Sequence, residues 1–280
     1  MTTNSEFDCS GLASLSGLST EENVQLFREL EAAQMEFLEK DYLFRSVDYK
    51  WPKDALHWWS RCWEYPYVLH HLRKFLNKAS RPVVVDLGSG VTFFPFVVAR
   101  EGFDVVCVDI DLVVKEDLSK AVDVIPSLPG TLTFRTTNGL TLPFEDESVD
   151  TLYCISVIEH IPEPVCTLEE IHRVLKPGGH FIVTVDIDLA GNFSLSPDEF
   201  KNFTKNMNRL FNIEAPEKTV HPRLVLDTLN SPYPLVKPKS FWARACDLIH
   251  NVLTFRYQEI KRSKLHLACA GYVMTKKVTK

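Results

Sequence analysis

The spacing of apolar and polar residues predicts two kinds of segment along this chain. Over residues 20–40 apolar side chains recur at helical intervals, and Ser19 and Glu22 have the spacing of a capping box. A second helix is expected over 64–78, after an aromatic-rich stretch. From residue 82 onward, short runs rich in β-branched residues alternate with helical patterns.

This alternation predicts an α/β fold with a mostly parallel sheet and helices on both faces. Strands are expected over 83–87, 104–108, 131–135, 149–155, 180–187 and 267–276, and helices over 93–101, 112–121 and 165–175. Ser196, followed by Pro197 and Glu199, marks the start of a further helix. Five prolines between residues 212 and 240 predict a loop there.

The pattern divides the chain into five parts, which are listed here by residue number. They are a mobile Ser/Thr-rich N-terminus (1–18), a helical, aromatic-rich N-terminal cap (19–80), a ligand-binding α/β core (81–190), an insert or lid after strand five (191–240), and a C-terminal helix with the last strands (241–280). The last strand is expected to be antiparallel.

Composition narrows the class of protein. The 280 residues carry a formal net charge of −6, which argues against a large nucleic-acid-binding face. No apolar run reaches the roughly 20 residues that span a bilayer, so we expect no membrane partner. The N-terminus does not read as a signal peptide. Seven scattered cysteines without a CxxC pair indicate reduced thiols and a cytoplasmic location.

The stretch VVVDLGSGVTFFPF, residues 83–96, places a glycine turn directly after a strand. A dinucleotide fingerprint would need a third glycine where Phe93 stands, and no lysine completes a P-loop. Asp86 precedes the glycines, and a carboxylate there favours a cationic ligand group. Asp109 ends the next strand and can accept both hydroxyls of a ribose, with Asp111 as the alternative. Together these residues suggest an adenosine with a positively charged tail, which fits S-adenosylmethionine.

Three further stretches complete a family resemblance. They are NGLTLPFEDESVD (138–150), YCISVIEHIPEP (153–164) and EEIHRVLKPGGHFIVTV (169–185). In this order the four stretches resemble the class I S-adenosylmethionine-dependent methyltransferases of the small-molecule type, which have a Rossmann-like fold. The resemblance covers residues 82–187. It implies S-adenosyl-L-methionine as the cofactor, bound by residues 81–190.

The resemblance also implies roles for individual residues. The expected cofactor-binding residues are Asp86, Gly88, Ser89, Gly90, Asp109, Ile110, Asn138, Gly139 and Ser156. Asp86 would orient the glycine loop and the methionine amino group, and Ile110 would flank the adenine. The family commonly has Asp where Asn138 stands, but an amide oxygen can still accept from the adenine amino group. A plain Asn-Gly turn is the alternative interpretation.

Glu159, His160 and Asp186 are the candidate catalytic residues. The sequence SVIEHI resembles the strand-four end of ubiquinone-pathway O-methyltransferases, where carboxylates and this histidine can hold a divalent metal. Ser156 replaces the partner carboxylate, and two ligands suit a hard cation poorly, so we expect no metal. His160 is either a general base or substrate-orienting group, or a helix-start histidine bonded to backbone. Asp186 either orients an acceptor or is a solvated strand-end carboxylate.

Residues 41–67 are crowded with aromatic side chains. Trp58, Trp59, Trp63 and Tyr65 are the candidate substrate-binding residues, since aromatic faces can stack on a flat ring or contact a cation. The alternative is that these rings pack the cap onto the sheet. The expected function is methyl transfer to an O or N atom of a small-molecule acceptor. The alternative is a methyltransferase acting on RNA or protein.

Overall fold

One sheet organises the protein. The computed structural model describes residues 5–75, 81–191, 195–234 and 266–278, and eight strands lie within them. They are β1 (Gly11–Leu12), β2 (Val83–Leu87), β3 (Asp104–Asp109), β4 (Thr131–Thr136), β5 (Val149–Ile155), β6 (Leu175–Asp188), β7 (Phe211–Ile213) and β8 (Leu267–Lys276). Their order is β1-β8-β6-β5-β2-β3-β4, and β7 pairs with another part of β8.

Strand direction follows the sequence-based expectation. The pairs from β4 through β3, β2 and β5 to β6 are parallel, and β8 runs antiparallel to β6. The predicted fold class, a mostly parallel sheet with an antiparallel last strand, is therefore confirmed. The sheet order reverses beside β2, whose neighbours are β3 and β5. Ligands of such sheets bind at this switch point, outside the carboxyl ends of the strands.

Helices cover both faces of the sheet. The described α-helices are α1 (Glu21–Glu39), α2 (Arg61–Phe75), α3 (Phe94–Arg100), α4 (Leu112–Val124), α5 (Pro164–Val174) and α6 (Pro197–Leu210). Short 3₁₀ helices span Leu15–Ser19, Asp41–Leu43, Ile158–His160 and Pro222–Leu224. Val84 packs with residues of α1 to α4, whereas Val85 packs with residues of α5 and α6. Neighbouring strand residues thus supply two separate cores, as the period of two requires.

The starts of two helices can be compared with the capping residues that the sequence predicted. At α6 the Ser196 side chain and Glu199 form the predicted capping box. At α1 the cap is Thr20, whose Oγ1 accepts from the Asn23 N–H at 3.2 Å, so the predicted cap at Ser19 is wrong by one residue. Ser19 instead ends the preceding 3₁₀ helix. None of the helices described here combines the length and apolar character that crossing a bilayer requires.

The helix α2 lies against the sheet through large aromatic side chains. Trp63 and Tyr67 stack with their ring centroids 4.5 Å apart, and both are buried. They contact β8 at Gly271, where an added Cβ atom would lie 2.8 Å from each ring. The absence of a side chain at this position therefore allows α2 to approach the sheet closely.

The N-terminal residues differ from the sequence-based expectation of a mobile segment over 1–18. The described part is packed onto the sheet: Phe7 is buried, and Leu12 pairs with Ala270 in β8. The Tyr67 hydroxyl donates to the Cys9 carbonyl oxygen at 3.0 Å. The Ser/Thr-rich composition did not predict this packing, because only a few apolar side chains and backbone pairing with β8 hold the segment in place.

The predicted insert over 191–240 is largely integrated into the core. The helix α6 and strand β7 pack on the sheet, and β7 extends its edge at β8. The Ser231 hydroxyl donates to the Trp59 carbonyl oxygen at 2.7 Å, which ties the end of this region to the N-terminal cap. The predicted C-terminal helix falls on residues 241–265, which lie outside the described residues.

Changing Gly271 to Ala tests the close approach of α2 to the sheet. We expect Gly271→Ala to lower the free energy of unfolding by about 1–3 kcal/mol, because the added methyl group overlaps two rings in a packed core. Urea unfolding measures the change. Trp63→Phe serves as the matched background: there the cost of Gly271→Ala should shrink, and equal costs in both backgrounds would contradict the assigned contact.

Candidate functional site

The loop after β2 requires glycine for two separate reasons. Gly88 has φ +75° and Gly90 has φ +53°, a region that side chains disfavour. A Cβ atom on Gly88 would also lie 2.5 Å from the Val157 side chain, which follows β5. The Gly88 N–H donates to the Val108 carbonyl oxygen at 2.8 Å. The loop is thus clamped between the ends of β3 and β5, at the switch point of the sheet.

Asp86 lies beneath this loop in the interior. Burial raises its pKa to about 8, with a further increase from the Asp109 charge, and the Tyr153 hydroxyl counteracts part of that change. Ser89 is also buried, against the Cys107 thiol. A positive charge brought to the loop would lower the pKa of this buried carboxyl group.

Asp109 is the acid beside the glycine loop. Its Oδ2 accepts from the Gly90 N–H at 3.1 Å, and its Oδ1 accepts from the Asp111 N–H at 3.1 Å. Asp111 itself caps α4 by accepting from the Val113 N–H at 2.9 Å. The two acids that the sequence left as alternatives therefore have different surroundings. Asp109 faces the loop with lone pairs to spare, and Asp111 is engaged at the start of a helix.

The predicted adenine side has an exposed apolar residue and a polar turn. The Ile110 side chain is 68% exposed, and Gly139 packs near it. The Asn138 Oδ1 accepts from the Leu140 and Thr141 N–H groups, each at 2.9 Å. The Asn138 oxygen thus closes the Asn-Gly turn that the sequence left as the alternative, and contact of Asn138 with adenine stays a prediction.

A residue at the end of β5 joins two parts of the site. Ser156 has φ +44°, an uncommon conformation for a residue other than glycine. Its Oγ lies 2.6 Å from Glu64 Oε1 and 3.4 Å from Asp186 Oδ1. The single hydroxyl proton goes to the nearer Glu64 oxygen. The Ser156 hydroxyl therefore contacts helix α2, and its role toward the cofactor stays a prediction.

Two of the predicted catalytic residues, Glu159 and Asp186, lie together. The Asp186 N–H donates to Glu159 Oε1 at 3.1 Å, and both side chains are buried. Burial and the neighbouring carboxyl group raise the pKa of Glu159 well above its ordinary value. Burial and Glu64 raise the pKa of Asp186 to about 7, against an opposing effect of Arg61. Sharing one region, the two groups cannot readily both ionise.

Arg61 and Glu64 were not among the predicted site residues, and α2 brings both to the same place. Glu64 is completely buried and is ion-paired with Arg61. Burial opposes ionisation of Glu64, but the guanidinium prevails and lowers its pKa. A charged Glu inside an otherwise aromatic helical stretch was the available signal, since a buried carboxylate needs a partner.

The third predicted catalytic residue, His160, has a different environment. It is exposed at the end of the 3₁₀ helix Ile158–His160, and its backbone N–H donates to the Val157 carbonyl oxygen at 2.9 Å. Partial burial and the Arg61 charge lower the pKa of its imidazole. The ring is therefore mostly neutral at pH 7, which suits a proton acceptor.

The aromatic side chains that were predicted to bind the substrate differ in their exposure to solvent. Trp59, Trp63 and Tyr65 are all buried where the cap packs onto the core, and Tyr65 contacts the rings of Phe93 and Phe94. Trp58 is 37% exposed. The structure thus places most of these rings in the packing role that the sequence left as the alternative.

A second segment of the cap lies over the glycine loop, within the aromatic-rich stretch 41–67 but outside the predicted site residues. The Tyr49 hydroxyl accepts from the Val91 N–H at 3.0 Å and lies 3.0 Å from the position of a Cβ atom on Gly90. The Arg45 guanidinium donates to the Val91 carbonyl oxygen at 3.1 Å and stacks on the Tyr49 ring. Residues 41–49 therefore cover the loop from outside.

A metal ion has one conceivable set of ligands among the described residues. Oxygen atoms of Glu64 and Asp186 and the thiol of Cys269 lie within 4.8 Å of one another. The guanidinium of Arg61 already supplies positive charge to Glu64. We therefore interpret these residues as a charge cluster rather than as a metal centre.

Comparison with known proteins identifies the class of domain. Residues 85–183 match the family described as Methyltransferase domain. An uncharacterized methyltransferase of Mycobacterium sp. (strain JLS) is 31% identical over 107 residues, 38% of this chain and 40% of that protein. A tRNA U34 carboxymethyltransferase of Campylobacter curvus (strain 525.92) is 44% identical over 57 residues, 20% of this chain and 19% of that protein. The chain thus spans between about a fifth and two fifths of the length of these relatives.

A solved structure extends the likeness of fold to most of the chain. The crystal structure of the [4+2]-cyclase SpnF superposes with a TM-score of 0.54 at 15% identity, covering 89% of this chain and 96% of that one. The sheet, its switch point and the glycine loop define a Rossmann-like α/β protein. Residues 85–183 match a methyltransferase domain, and the chain has the Rossmann-like fold that the motifs predicted for a class I S-adenosylmethionine-dependent methyltransferase.

This class implies S-adenosylmethionine as the cofactor, and the carboxyl edge of the sheet fits it. The glycines at 88 and 90 adopt the positive φ values that the loop needs, Asp109 offers free lone pairs, and Ile110 exposes an apolar face. A cofactor at the loop would also meet Tyr49, which lies over it.

The two neighbouring acids give a matched test of the ribose assignment. We expect Asp109→Ala to weaken binding of S-adenosylhomocysteine by about 1.5–3 kcal/mol, because the ribose hydroxyls lose a charged acceptor. Asp111→Ala removes only a helix cap and should lower stability by about 1 kcal/mol while leaving affinity unchanged. Calorimetric titration and urea unfolding measure the two effects. Equal affinity losses in both variants would contradict the assignment.

The raised pKa of Asp86 predicts a pH-dependent stability. Its pKa of about 8 in the folded protein exceeds its ordinary 3.8, so the folded state holds the proton more tightly between these values. Stability should therefore fall as pH rises through this window. Between pH 5 and 8 we expect Asp86→Asn to gain roughly 1–3 kcal/mol relative to the unsubstituted protein.

Urea unfolding at pH 5, 6.5 and 8 measures this difference, because the other buried acids contribute equally to both proteins. The exposed Asp123, changed to Asn, is the control and should follow the unsubstituted protein. A stability difference between Asp86→Asn and the unsubstituted protein that stays constant with pH would show that Asp86 does not titrate in this range.

Proposed function

We propose that the protein transfers the methyl group of S-adenosylmethionine to an O or N atom of a small molecule. The observation that carries this proposal is the meeting of two sets of residues at one edge of the sheet. The loop from Gly88 to Gly90 and Asp109 lie at the ends of β2 and β3, and buried Asp186 lies at the end of β6. A cofactor on the first set would present its reactive end toward the second.

Methyl transfer requires the protein mainly to position the acceptor against the methyl group. The sulfonium activates the methyl group when the cofactor is bound, so alignment of the acceptor and exclusion of water supply most of the rate enhancement. Asp109 and the glycine loop would hold the adenosine, and Asp86 would face the methionine amino group. Glu159, Asp186 and His160 are the groups that could take a proton from the acceptor.

The cap closes the carboxyl edge of the sheet, and this favours a small acceptor over a macromolecule. Helix α2 places buried Glu64 against Ser156, and Tyr49 lies over the glycine loop. A net charge of −6 also disfavours a polyanionic substrate. The likeness to a tRNA carboxymethyltransferase extends over a fifth of this chain, so action on RNA or protein stays the alternative.

The described cysteines support a reducing compartment. All six are free thiols, and most of them are buried. We therefore propose a cytoplasmic location.

Calorimetric titration with S-adenosylhomocysteine, with NAD as the control ligand, is the first test. We expect micromolar binding of the first and no binding of the second. Labelled S-adenosylmethionine incubated with a small-molecule metabolite extract, and separately with RNA and with protein, then identifies the acceptor class. Label in the RNA or protein fraction would overturn the small-molecule proposal, and preferential NAD binding would overturn the cofactor assignment.

A further inference from the structure

The N-terminal cap brings the hydroxyl group of Tyr49 to the glycine loop, beside Asp109. We infer that Tyr49 is a ribose-binding residue, whose hydroxyl donates a hydrogen bond to a ribose hydroxyl that Asp109 accepts from. One residue would thus act as the donor and the other as the acceptor toward the same sugar. This inference rests on the proposed function. It adds to the cofactor site a residue that lies outside the matched domain, residues 85–183.

The Tyr49 hydroxyl meets the loop at short distances. Its oxygen accepts from the Val91 N–H at 3.0 Å and lies 3.0 Å from the position of a Cβ atom on Gly90. The N–H of the same Gly90 donates to Asp109 Oδ2 at 3.1 Å. Gly90 is therefore adjacent to both the Tyr49 hydroxyl and the Asp109 carboxylate, which places these two groups at the same part of the loop.

The hydrogen of the Tyr49 hydroxyl is available to a ligand. The oxygen is the acceptor in the bond from the Val91 N–H, so this bond does not use the hydrogen. Among the residues that the structure describes, none accepts it. Burial raises the pKa of Tyr49, and the Asp109 charge raises it further, so the hydroxyl keeps its proton at neutral pH. A donor without an acceptor thus lies beside the acid that is proposed to bind the ribose.

The segment before Tyr49 is anchored at several points, so the hydroxyl is held in place. The Arg45 guanidinium lies 4.8 Å from the centre of the Tyr49 ring and donates to the Val91 carbonyl oxygen at 3.1 Å. The Ser46 N–H donates to Asp117 Oδ2 in α4 at 2.8 Å. A group that is positioned before the ligand arrives loses little conformational freedom on binding. This arrangement favours a binding role for the hydroxyl.

A ribose hydroxyl suits a site that offers one acceptor and one donor. The Asp109 carboxylate only accepts, so it takes the hydrogen of the ribose hydroxyl. The oxygen of that hydroxyl keeps its lone pairs, and Tyr49 supplies a hydrogen for one of them. A deoxyribose lacks this group and would leave both side chains without their partner. Tyr49 and Asp109 together would therefore select ribose over deoxyribose.

Deoxy analogues of S-adenosylhomocysteine test the inference without knowledge of the acceptor. Calorimetric titration of the full chain at pH 7.5 measures the affinity for S-adenosylhomocysteine and for its 2′-deoxy and 3′-deoxy analogues. We expect Tyr49→Phe to weaken binding of S-adenosylhomocysteine about fivefold, because one hydrogen bond is lost. With at least one analogue, the same substitution should weaken binding by less than about twofold, since the hydroxyl that Tyr49 contacts is already absent.

The matched control is Tyr42→Phe, which removes a hydroxyl from the same segment of the cap. The Tyr42 side chain is 76% exposed, so this variant should bind all three ligands like the unsubstituted protein. If Tyr49→Phe keeps full affinity for S-adenosylhomocysteine, the ribose contact is overturned. An equal loss with all three ligands would also overturn it, because such a loss reports packing of the cap rather than a bond to the sugar.

These outcomes separate the inference from the function on which it rests. In both contrary cases S-adenosylhomocysteine still binds the unsubstituted protein, so the proposed function stands while the role of Tyr49 fails. If S-adenosylhomocysteine does not bind the unsubstituted protein, the proposed function fails and the inference fails with it.

Discussion

The hydrogen bond from the Ser156 hydroxyl to the Glu64 carboxylate connects the N-terminal helices to the carboxyl edge of the sheet. Both groups are buried, and leaving either of them unpaired would cost about 1–3 kcal/mol. The left-handed backbone at Ser156 costs a similar amount and persists only where the surroundings hold it. Since α2 supplies both Glu64 and its partner Arg61, the packing of this helix decides where charge lies beside the end of β5.

Negative charge is stabilised differently in the two halves of the site. On the cofactor side, the Asp109 carboxylate is met by the N–H groups of Gly90 and Asp111, so its charge is stabilised by backbone. At the ends of β5 and β6, Glu159 and Asp186 lie close together, and burial raises the pKa of each. The first arrangement suits steady binding of a ribose. The second suits a group whose protonation changes during a reaction.

The cap does more than complete the core. Large aromatic side chains hold α2 so closely that β8 has room only for glycine at position 271. The same cap places Tyr49 and Arg45 over the loop that follows β2. The fold is shared with the [4+2]-cyclase SpnF, so the cofactor fold alone does not fix the reaction. The residues that the cap adds to the edge are where specificity can arise.

The sequence by itself determined the strands β2 to β6 and β8, the glycine turn and the acids at the ends of β2 and β3. These features are local: a buried parallel strand is a continuous apolar run, and a turn with positive φ needs glycine. Tertiary structure alone decided that Glu64 meets Ser156, 92 residues away, and that the Asn138 oxygen closes a turn. Such contacts depend on how helices pack on the sheet, and periodicity along the chain does not record which distant side chains that packing brings together.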